Sequence, residues 1–189
     1  MEADQPLASR RSSLLFAHFG LTGPAALDVS RFVSGHPRPA TLSAEIDLVP
    51  GQSESRLIEW LRHESINSGK KQLSVVVGQL VPRRLAEIVL QMAAIAPDQK
   101  VAELSNAQRD RLVRTLKHLT VPLTGTLGFK KAEVTAGGVS LDEVDSRTMQ
   151  SKIVPGLFFA GEILDLDGPI GGYNFQAAWS TGWLAGSSL

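Results

Sequence analysis

The sequence contains no cysteine and no long hydrophobic run. The absence of cysteine excludes disulfide bonds, thiol nucleophiles and metal sites built on cysteine ligands. No apolar run approaches the ~18 residues that a membrane-spanning helix needs. Residues Met1–Gln5 also lack the basic and then apolar pattern of a signal peptide. These absences predict a cytoplasmic protein without a membrane partner.

An excess of charge of either sign is missing too, because 19 lysine and arginine residues balance 19 aspartate and glutamate residues. Proteins that bind nucleic acid or anionic membranes usually present a large positive field. We therefore expect no nucleic-acid partner. His63 and His118 stand without the ligand partners that a metal site needs, so we predict no metal.

The length of 189 residues allows one domain or two small ones around a substantial core. The first fifty residues predict a strand through Leu14–Ala17, a helix opened by Pro24, and a half-buried strand at 41–48. Apolar and polar residues alternate in that second strand, which is typical of an antiparallel sheet with one solvated face. We expect residues 1–50 to form one strand segment with a single helix.

The next seventy residues predict helices. Ser53 and Ser105 are typical N-cap residues, and Gln108 has the spacing that completes a capping box with Ser105. Pro82 opens a further helix with one apolar face, predicted to carry Leu85, Ile88, Val89, Met92 and Ile95. A helical subdomain is therefore predicted at 51–120, followed by return strands at 121–140.

Residues 141–189 carry the most informative pattern of the chain. Ile153–Ala160 is a short apolar run that predicts a strand buried on both faces. A glycine-rich loop at 165–173 then leads into a helix that begins near Asn174. Exposed N–H groups in such a turn, with the positive end of the helix dipole, can hold an anionic or carbonyl-rich ligand. Spacing alone does not distinguish a ligand-binding site from an ordinary strand–loop–helix unit, so both interpretations stay open.

The terminal helix is rich in small side chains, and Gly182 lies in its interior. Glycine inside a helix costs about 1 kcal/mol relative to alanine. We therefore expect another structural element, or a ligand, to approach the helix closely at this position.

Three motifs stand in order along the chain. The first reads LLFAHFGLTGP at 14–24, the second reads AEVTAGGV at 132–139 with TMQSK at 148–152, and the third reads GLFFAGEILDLDGPIGGYNFQAAWSTGWLAG at 156–186. Together they resemble the motifs of the BaiN/RdsA-like (YhiN-type) NAD(P)/FAD-dependent oxidoreductases, a family of flavoproteins. The third motif is similar to the C-terminal signature of that family over nearly its whole length.

The resemblance implies that the third motif is part of a Rossmann-like FAD-binding domain. Gly161 would let the backbone approach the cofactor, and Glu162 would accept hydrogen bonds from the ribityl hydroxyls. The start of the terminal helix would lie along the isoalloxazine ring, where the helix dipole favours negative charge at the N1–C2=O2 edge of reduced flavin. The cofactor-binding residues implied there are Gly171, Gly172, Tyr173, Asn174 and Gln176.

The second motif implies two more cofactor-binding residues, Gly137 and Gly138, on the flavin or substrate side. No motif assigns a catalytic residue. The family also implies NAD(P)H as electron donor, a small-molecule substrate, and barrel-like packing of the strands in 1–50.

The sequence has no G-x-G-x-x-G, the motif that binds the FAD pyrophosphate in the Rossmann unit where family members begin. The chain therefore resembles the C-terminal portion only. It is expected to bind FAD poorly alone, and to need an N-terminal Rossmann half or to self-associate through the apolar edge at 157–159. Two functions stay open: part of an FAD-dependent reductase, or a truncated non-catalytic fragment that serves as an assembly half.

The predicted fold class is mixed α+β. It combines barrel-like strands, an inserted helical subdomain at 51–120, and the strand–loop–helix of a Rossmann-like FAD-binding domain at 141–189. Return strands at 121–140 connect the last two parts.

Overall fold

A computed structural model describes residues 6–189 of the chain. The fold is mixed α+β, as predicted, and none of the helices in this range combines the length and hydropathy needed to cross a membrane. The predicted lack of a signal peptide concerns Met1–Gln5, which lie outside the described residues. The strands and helices in chain order are β1 (Leu15–Ala17), β2 (Gly20–Thr22), α1 (Pro24–Ser34), β3 (Ser43–Ile46), α2 (Glu54–Asn67), α3 (Leu73–Val77), α4 (Arg83–Met92), α5 (Asn106–Lys117), β4 (Leu119–Pro122) and α6 (Tyr173–Ser187).

The described residues form two compact units. Residues 40–123 make up the helical unit, and residues 6–39 with 124–189 make up the split unit. Strand β3 therefore belongs to the same unit as helices α2 to α5. The predicted division at 50, 120 and 140 stays a prediction, because a compact unit records packing and does not by itself mark a domain that folds alone.

The helical unit encloses one continuous hydrophobic core. Helices α2 and α5 begin at the predicted caps, since Ser53 accepts a hydrogen bond from the Arg56 N–H and Ser105 accepts one from the Gln108 N–H. The Ser105 N–H donates to Gln108 Oε1 at 3.0 Å, which completes the capping box. The caps thus fix the residues at which these two helices begin. The fully buried leucines are Leu57, Leu61, Leu73, Leu90, Leu112 and Leu116.

Strands β3 and β4 pair antiparallel, with Ser43 opposite Pro122 and Ile46 opposite Leu119. Exposed and half-buried residues alternate along β3, which confirms the predicted pattern. The sheet ends at Pro122, because proline has no N–H to donate to a ladder. Residues 123–138 form no strand, so the return strands predicted at 121–140 are wrong beyond Pro122.

The apolar face predicted for α4 is turned partly away from the core. Val89 is buried, but Ile88 and Met92 are 51% and 56% exposed. Ala86 and Leu90, which the prediction did not include, are buried together with Val89. The periodicity of the sequence predicts a wide apolar stripe on this helix. Packing in the folded chain decides which part of that stripe is covered.

The split unit starts with a small antiparallel hairpin, in which β1 pairs with β2. Pro24 then opens α1 as predicted. The strands expected to be barrel-like therefore lie in two separate two-stranded sheets within residues 6–189. The hydrophobic core of the split unit is small, with Val144, Met149, Leu164 and Ala185 buried.

The segment Ile153–Ala160 does not form the predicted strand. Its pairing is limited to an isolated bridge between Gln150 and Phe158. The side chains of Ile153, Val154 and Leu157 are 66%, 49% and 42% exposed. A strand buried on both faces needs strand neighbours and covering layers, and residues 6–189 supply only that one bridge, so the prediction is wrong for this chain.

Candidate functional site

The candidate site is built around the glycine-rich loop that precedes α6. Gly172 is the N-cap residue of α6 and adopts a left-handed conformation with φ 89°, and no side chain caps the helix. A Cβ atom added to Gly172 would meet no other atom within 4 Å. The first turn of α6 therefore starts beside open space, and its N–H groups have no capping side chain to satisfy them.

The ring of Tyr173 lies beside Gly171, the first glycine of the pair. A Cβ added to Gly171, which has φ 132°, would come within 3.5 Å of the Tyr173 ring. Tyr173 itself is 61% exposed. The ring thus lies next to the Gly171–Gly172 backbone and remains accessible on its other side.

Asn174 holds the loop in shape. Its Oδ1 accepts a hydrogen bond from the Gly168 N–H at 2.7 Å, and its Nδ2 donates to the Gly168 carbonyl oxygen at 3.0 Å. Both ends of the side-chain amide are therefore used within the loop. Asn174 thus ties the start of α6 to the loop backbone, a role that the sequence pattern could not separate from ligand binding, and its contact with a flavin stays a prediction.

Helix α1 anchors the same loop from the other end of the chain. The Asp28 carboxylate accepts a hydrogen bond from the Ile170 N–H at 2.7 Å and lies 2.7 Å from Arg10 Nε. Arg31 pairs with Asp167 at 3.1 Å. Sequence reasoning missed these residues. The available signal was a carboxylate and an arginine one turn apart on a mostly apolar helix, and it gave no indication of a partner 142 positions away.

Gly161 packs directly against α6. Its N–H donates to Thr181 Oγ1 at 3.0 Å, and Thr181 Oγ1 donates to the Ala177 carbonyl oxygen at 2.7 Å. A Cβ added to Gly161, where φ is 75°, would lie 3.8 Å from Ala178. The small residues of α6 thus allow the backbone around Gly161 to approach the helix. The next residue, Glu162, is exposed.

The two glycines of the second motif lie in different surroundings. A Cβ on Gly138 would overlap the Ile163 carbonyl oxygen, whereas one on Gly137 would meet nothing within 4 Å. The Val139 N–H donates to the Ile163 carbonyl oxygen at 2.8 Å, so the chain runs close to residues 163–165 here. Close backbone packing explains the need for glycine at 138, and Gly137, with φ 90°, stays open on its side-chain face.

The remaining predicted residue, Gln176, lies on an exposed part of α6. Its Nε2 donates to Ser180 Oγ at 3.0 Å. The structure therefore brings residues 137–139 against 163–165, and Gly161 against α6, while Gly171 to Asn174 form the loop and first turn. No group of three or more histidine, aspartate or glutamate residues in 6–189 is arranged to hold a metal ion.

Comparison with known proteins adds two findings. A family model described as "HI0933-like protein barrel and H2TH domain" matches residues 2–134. Among curated relatives, the ribosomal RNA dihydrouridine synthases of Escherichia coli and Haemophilus influenzae are 38% and 36% identical over 179 and 178 residues, which cover 95% and 94% of this chain. The 3-dehydro-bile acid delta(4,6)-reductase of Clostridium scindens is 30% identical over 183 residues and 96% of this chain.

The chain spans less than half the length of the curated relatives that it matches. The matched part is 42% of each dihydrouridine synthase and 45% of the reductase. The relatives match the segment with the glycine-rich loop as well, because their alignments cover nearly the whole chain, whereas the family model ends before Gly137.

Proposed function

This chain belongs to the HI0933-like family, and from that premise we propose that it is the C-terminal part of an FAD-dependent oxidoreductase that uses NAD(P)H as electron donor. The predicted family is confirmed, and the coverage of the relatives agrees with the predicted C-terminal portion. The Rossmann-like character of 141–189, a cytoplasmic location, and activity of the chain itself are parts of the proposal.

The observation that carries the proposal is the start of α6. An uncapped first turn follows a left-handed glycine whose side-chain direction is open. Helix N–H groups that lack partners, together with the helix dipole, favour a ligand atom with negative charge. The residues present therefore fit the carbonyl-rich edge of a flavin ring.

The chain's own residues have separate parts in this proposed site. Gly172 and the N–H groups of the first turn would hold the cofactor edge. Asn174 and Asp28 position the loop through Gly168 and Ile170. Glu162, exposed beside Gly161, would accept hydrogen bonds from hydroxyl groups of the cofactor. The chemistry that FAD supplies when bound is the transfer of a hydride from a reduced pyridine nucleotide to an unsaturated substrate.

The names of the relatives point to one type of reaction. A dihydrouridine synthase and a delta(4,6)-reductase are both named for saturating a ring carbon–carbon double bond. We infer a substrate of the same chemical kind, an alkene conjugated with a carbonyl group. A small molecule agrees with the balanced charge of the chain.

A base in ribosomal RNA is the second candidate substrate. The relatives named for that reaction are 36% and 38% identical to this chain, compared with 30% for the bile acid reductase. The assembled, flavin-loaded protein can be offered an unsaturated 3-oxo steroid and unmodified ribosomal RNA in parallel. Loss of enone absorbance favours the first candidate, and newly formed dihydrouridine favours the second.

Gly172→Val tests the cofactor site. The matched control is Gly156→Val, because Gly156 also has a left-handed φ, 79°, and an open side-chain direction in the same unit. Both variants place a branched residue at a positive φ, but only the first places it at the proposed cofactor edge. We expect the first to lower FAD affinity at least tenfold and the control to leave it unchanged.

The readout is flavin absorbance near ~450 nm after FAD titration of the chain alone and of the chain with an N-terminal Rossmann half. Equal FAD content in the two variants would contradict the placement of the ring. No bound flavin in either preparation would favour the alternative, a non-catalytic fragment or assembly half.

A further inference from the structure

Helix α6 leaves one side open to solvent. Trp179 and Trp183 are 77% and 74% exposed there, and a Cβ added to Gly182 would meet nothing within 4 Å. The close approach expected at Gly182 is therefore not made by residues 6–189. This apolar side belongs to the strand–loop–helix segment already described, whereas the helical unit presents a surface of a different chemical kind.

That surface is a pocket at the end of α2, which the proposed cofactor site does not use. It has a volume of about 760 Å³ and is lined by residues 65–71 together with Lys100 and Ala102. Ligand pockets in proteins commonly enclose roughly 300–1,000 Å³. The pocket is therefore of a size that can receive a ligand.

Two segments of backbone hold the pocket in shape. The Leu73 N–H donates to the Gln99 carbonyl oxygen at 2.9 Å. The Val101 N–H donates to the Lys71 carbonyl oxygen at 3.0 Å. Because the side chains of Leu73 and Val101 are fully buried in the core, both segments are anchored from below. Lys71 and Lys100 are 29 positions apart in the chain but lie in neighbouring segments with fixed backbones.

Gly69 allows the two segments to approach each other. A Cβ added to Gly69 would lie 3.0 Å from the Ala102 Cβ and 2.9 Å from the Ser65 carbonyl oxygen. The Ala102 N–H donates to the Gly69 carbonyl oxygen at 3.2 Å. A side chain at position 69 would therefore push residues 99–102 away from the end of α2, and the pocket depends on this close contact.

The pocket is lined by positive charges without negative ones. Lys70, Lys71 and Lys100 line it, and no aspartate or glutamate does. All three lysines are exposed, and none of them takes part in a salt bridge within residues 6–189. Three like charges around one concave surface repel each other, so an anion that enters between them is attracted by all three. Ser65 and Ser68 add hydroxyl donors to the same lining.

A simpler role for these lysines is to balance the negative end of the α2 dipole. That end carries about half an elementary charge, which three lysines outweigh. The role would also account only for Lys70 and Lys71, which follow α2 directly, and not for Lys100, which comes from another segment. The balanced net charge of the whole chain does not reveal this local excess.

We propose that this lysine pocket, defined by Lys70, Lys71 and Lys100, binds phosphate groups of a ligand. Lysine binds phosphate as a point charge, and three of them match the negative charge of more than one phosphate group. The phosphodiester backbone of an RNA and a small molecule that carries a diphosphate both present this chemistry. The pocket belongs to the helical unit, so the proposal does not depend on the FAD site proposed in the split unit.

The test compares two double variants of the chain. Lys71→Gln with Lys100→Gln removes two charges from the pocket. The matched control is Arg83→Gln with Arg84→Gln, because both arginines are exposed in the same unit but do not line the pocket. All four side chains are exposed, so circular dichroism and urea unfolding should be the same in both variants and the wild type.

Two probes distinguish the sources of phosphate. The first is a fluorescent single-stranded oligouridine of about 12 nucleotides, followed by anisotropy. The second is inorganic pyrophosphate, followed by isothermal titration calorimetry. Neither measurement requires flavin, so a failure of the phosphate site leaves the proposed function standing, and a failure to bind flavin leaves the phosphate site standing.

We expect the pocket variant to bind the oligouridine about tenfold more weakly or worse, while the control stays within about twofold of the wild type. The logarithm of the binding constant should fall with the logarithm of salt concentration with a slope of about −2 in the wild type and about −0.7 in the pocket variant, since each contact to a single strand contributes about −0.7. An unchanged slope in the pocket variant would overturn the proposal.

The two probes together decide the source. Loss of oligouridine binding in the pocket variant, without measurable binding of pyrophosphate to the wild type, would assign the pocket to a polynucleotide backbone. Binding of pyrophosphate alone, abolished in the pocket variant, would assign it to a small phosphorylated ligand. Equal weakening by the pocket variant and the control would show a diffuse effect of charge and overturn the proposal, as would a wild-type chain that binds neither probe.

Discussion

The helical unit buries most of its hydrophobic core side chains, whereas the split unit leaves many of its large hydrophobic side chains exposed. Among residues 6–189, eighteen of the twenty-two buried hydrophobic residues belong to the helical unit, and eighteen of the twenty-two exposed large ones belong to the split unit. The hydrophobic effect favours removing such surface from water by about 25 cal/mol per Å². The helical unit achieves this within its own chain, whereas the split unit leaves much of its apolar surface uncovered, and this difference is the physical reason to seek a partner for the split unit.

The largest expected effect is a loss of stability when a cavity is made in the core of the helical unit. Leu112 is fully buried, so Leu112→Ala removes apolar contacts and leaves a cavity, and it should lower the free energy of unfolding by about 2–5 kcal/mol. Trp183→Ala removes a larger but exposed side chain and should change the stability of the isolated chain by no more than about 0.5 kcal/mol. Urea unfolding of both variants measures the contrast. Similar losses would show that the split unit has a core as complete as that of the helical unit.

The next effect concerns the anchor of the glycine-rich loop. Asp28 is 8% exposed in its side chain and accepts the Ile170 N–H. Asp28→Ala would leave that N–H and Arg10 without their partner, at a cost of about 1–3 kcal/mol. Amide hydrogen exchange at Ile170 should accelerate accordingly.

Asp28→Asn is the control for this prediction, because it keeps an acceptor oxygen while removing the charge. It should accelerate exchange at Ile170 less than Asp28→Ala does. Equal exchange rates in the two variants would show that the ion pair with Arg10, and not the hydrogen bond, holds the loop.

The smallest effect is a dependence of stability on pH in the helical unit. Hydrogen bonds to Glu45, and then to Glu54, raise the pKa of His118 above its ordinary value of 6.5. His118 Nδ1 lies 3.0 Å from Glu45 Oε1 and Nε2 lies 2.9 Å from Glu54 Oε1, and so the protonated ring joins β3 to the start of α2. The folded chain keeps this proton at pH values where the unfolded chain has released it. The stabilisation is therefore complete below 6.5 and is lost as the pH rises through the folded pKa.

The magnitude should stay below about 1 kcal/mol, because the ring is 45% exposed and water screens the pairing. The free energy of unfolding is compared between slightly acidic and alkaline buffer for the wild type and for His118→Gln. The variant should have the flatter profile. An unchanged slope in His118→Gln would assign the pH dependence to other groups.

Features that depend on neighbours in sequence were predicted correctly. Ser53 and the Ser105–Gln108 box cap their helices because the atoms that bond lie three residues apart. Features that depend on distant partners were not. Ile153–Ala160 has the composition of a buried strand but lacks strand neighbours among the described residues, and the anchoring of Ile170 by Asp28 joins opposite ends of the chain.

The candidate site likewise has features that the sequence predicted and features that it did not predict. The sequence correctly marked a glycine-rich turn before the last helix, and the positive φ angles at Gly171 and Gly172 explain why glycine is needed there. It could not tell that Asn174 bonds to Gly168, or that Gly138 packs against the backbone at Ile163. An asparagine or a glycine in a motif is compatible with both ligand contact and internal packing, and only coordinates separate the two.

The amino-acid sequence by itself determined the mixed fold class, the capped starts of α2 and α5, and the turn that precedes α6, because capping, periodicity and glycine conformations act over a few residues. Its three motifs indicated the family. The tertiary structure alone decided which apolar faces are covered, which polar side chains anchor the loop, and that one face of α6 stays exposed. Burial depends on contacts between residues far apart in the chain, and local patterns carry no record of those contacts.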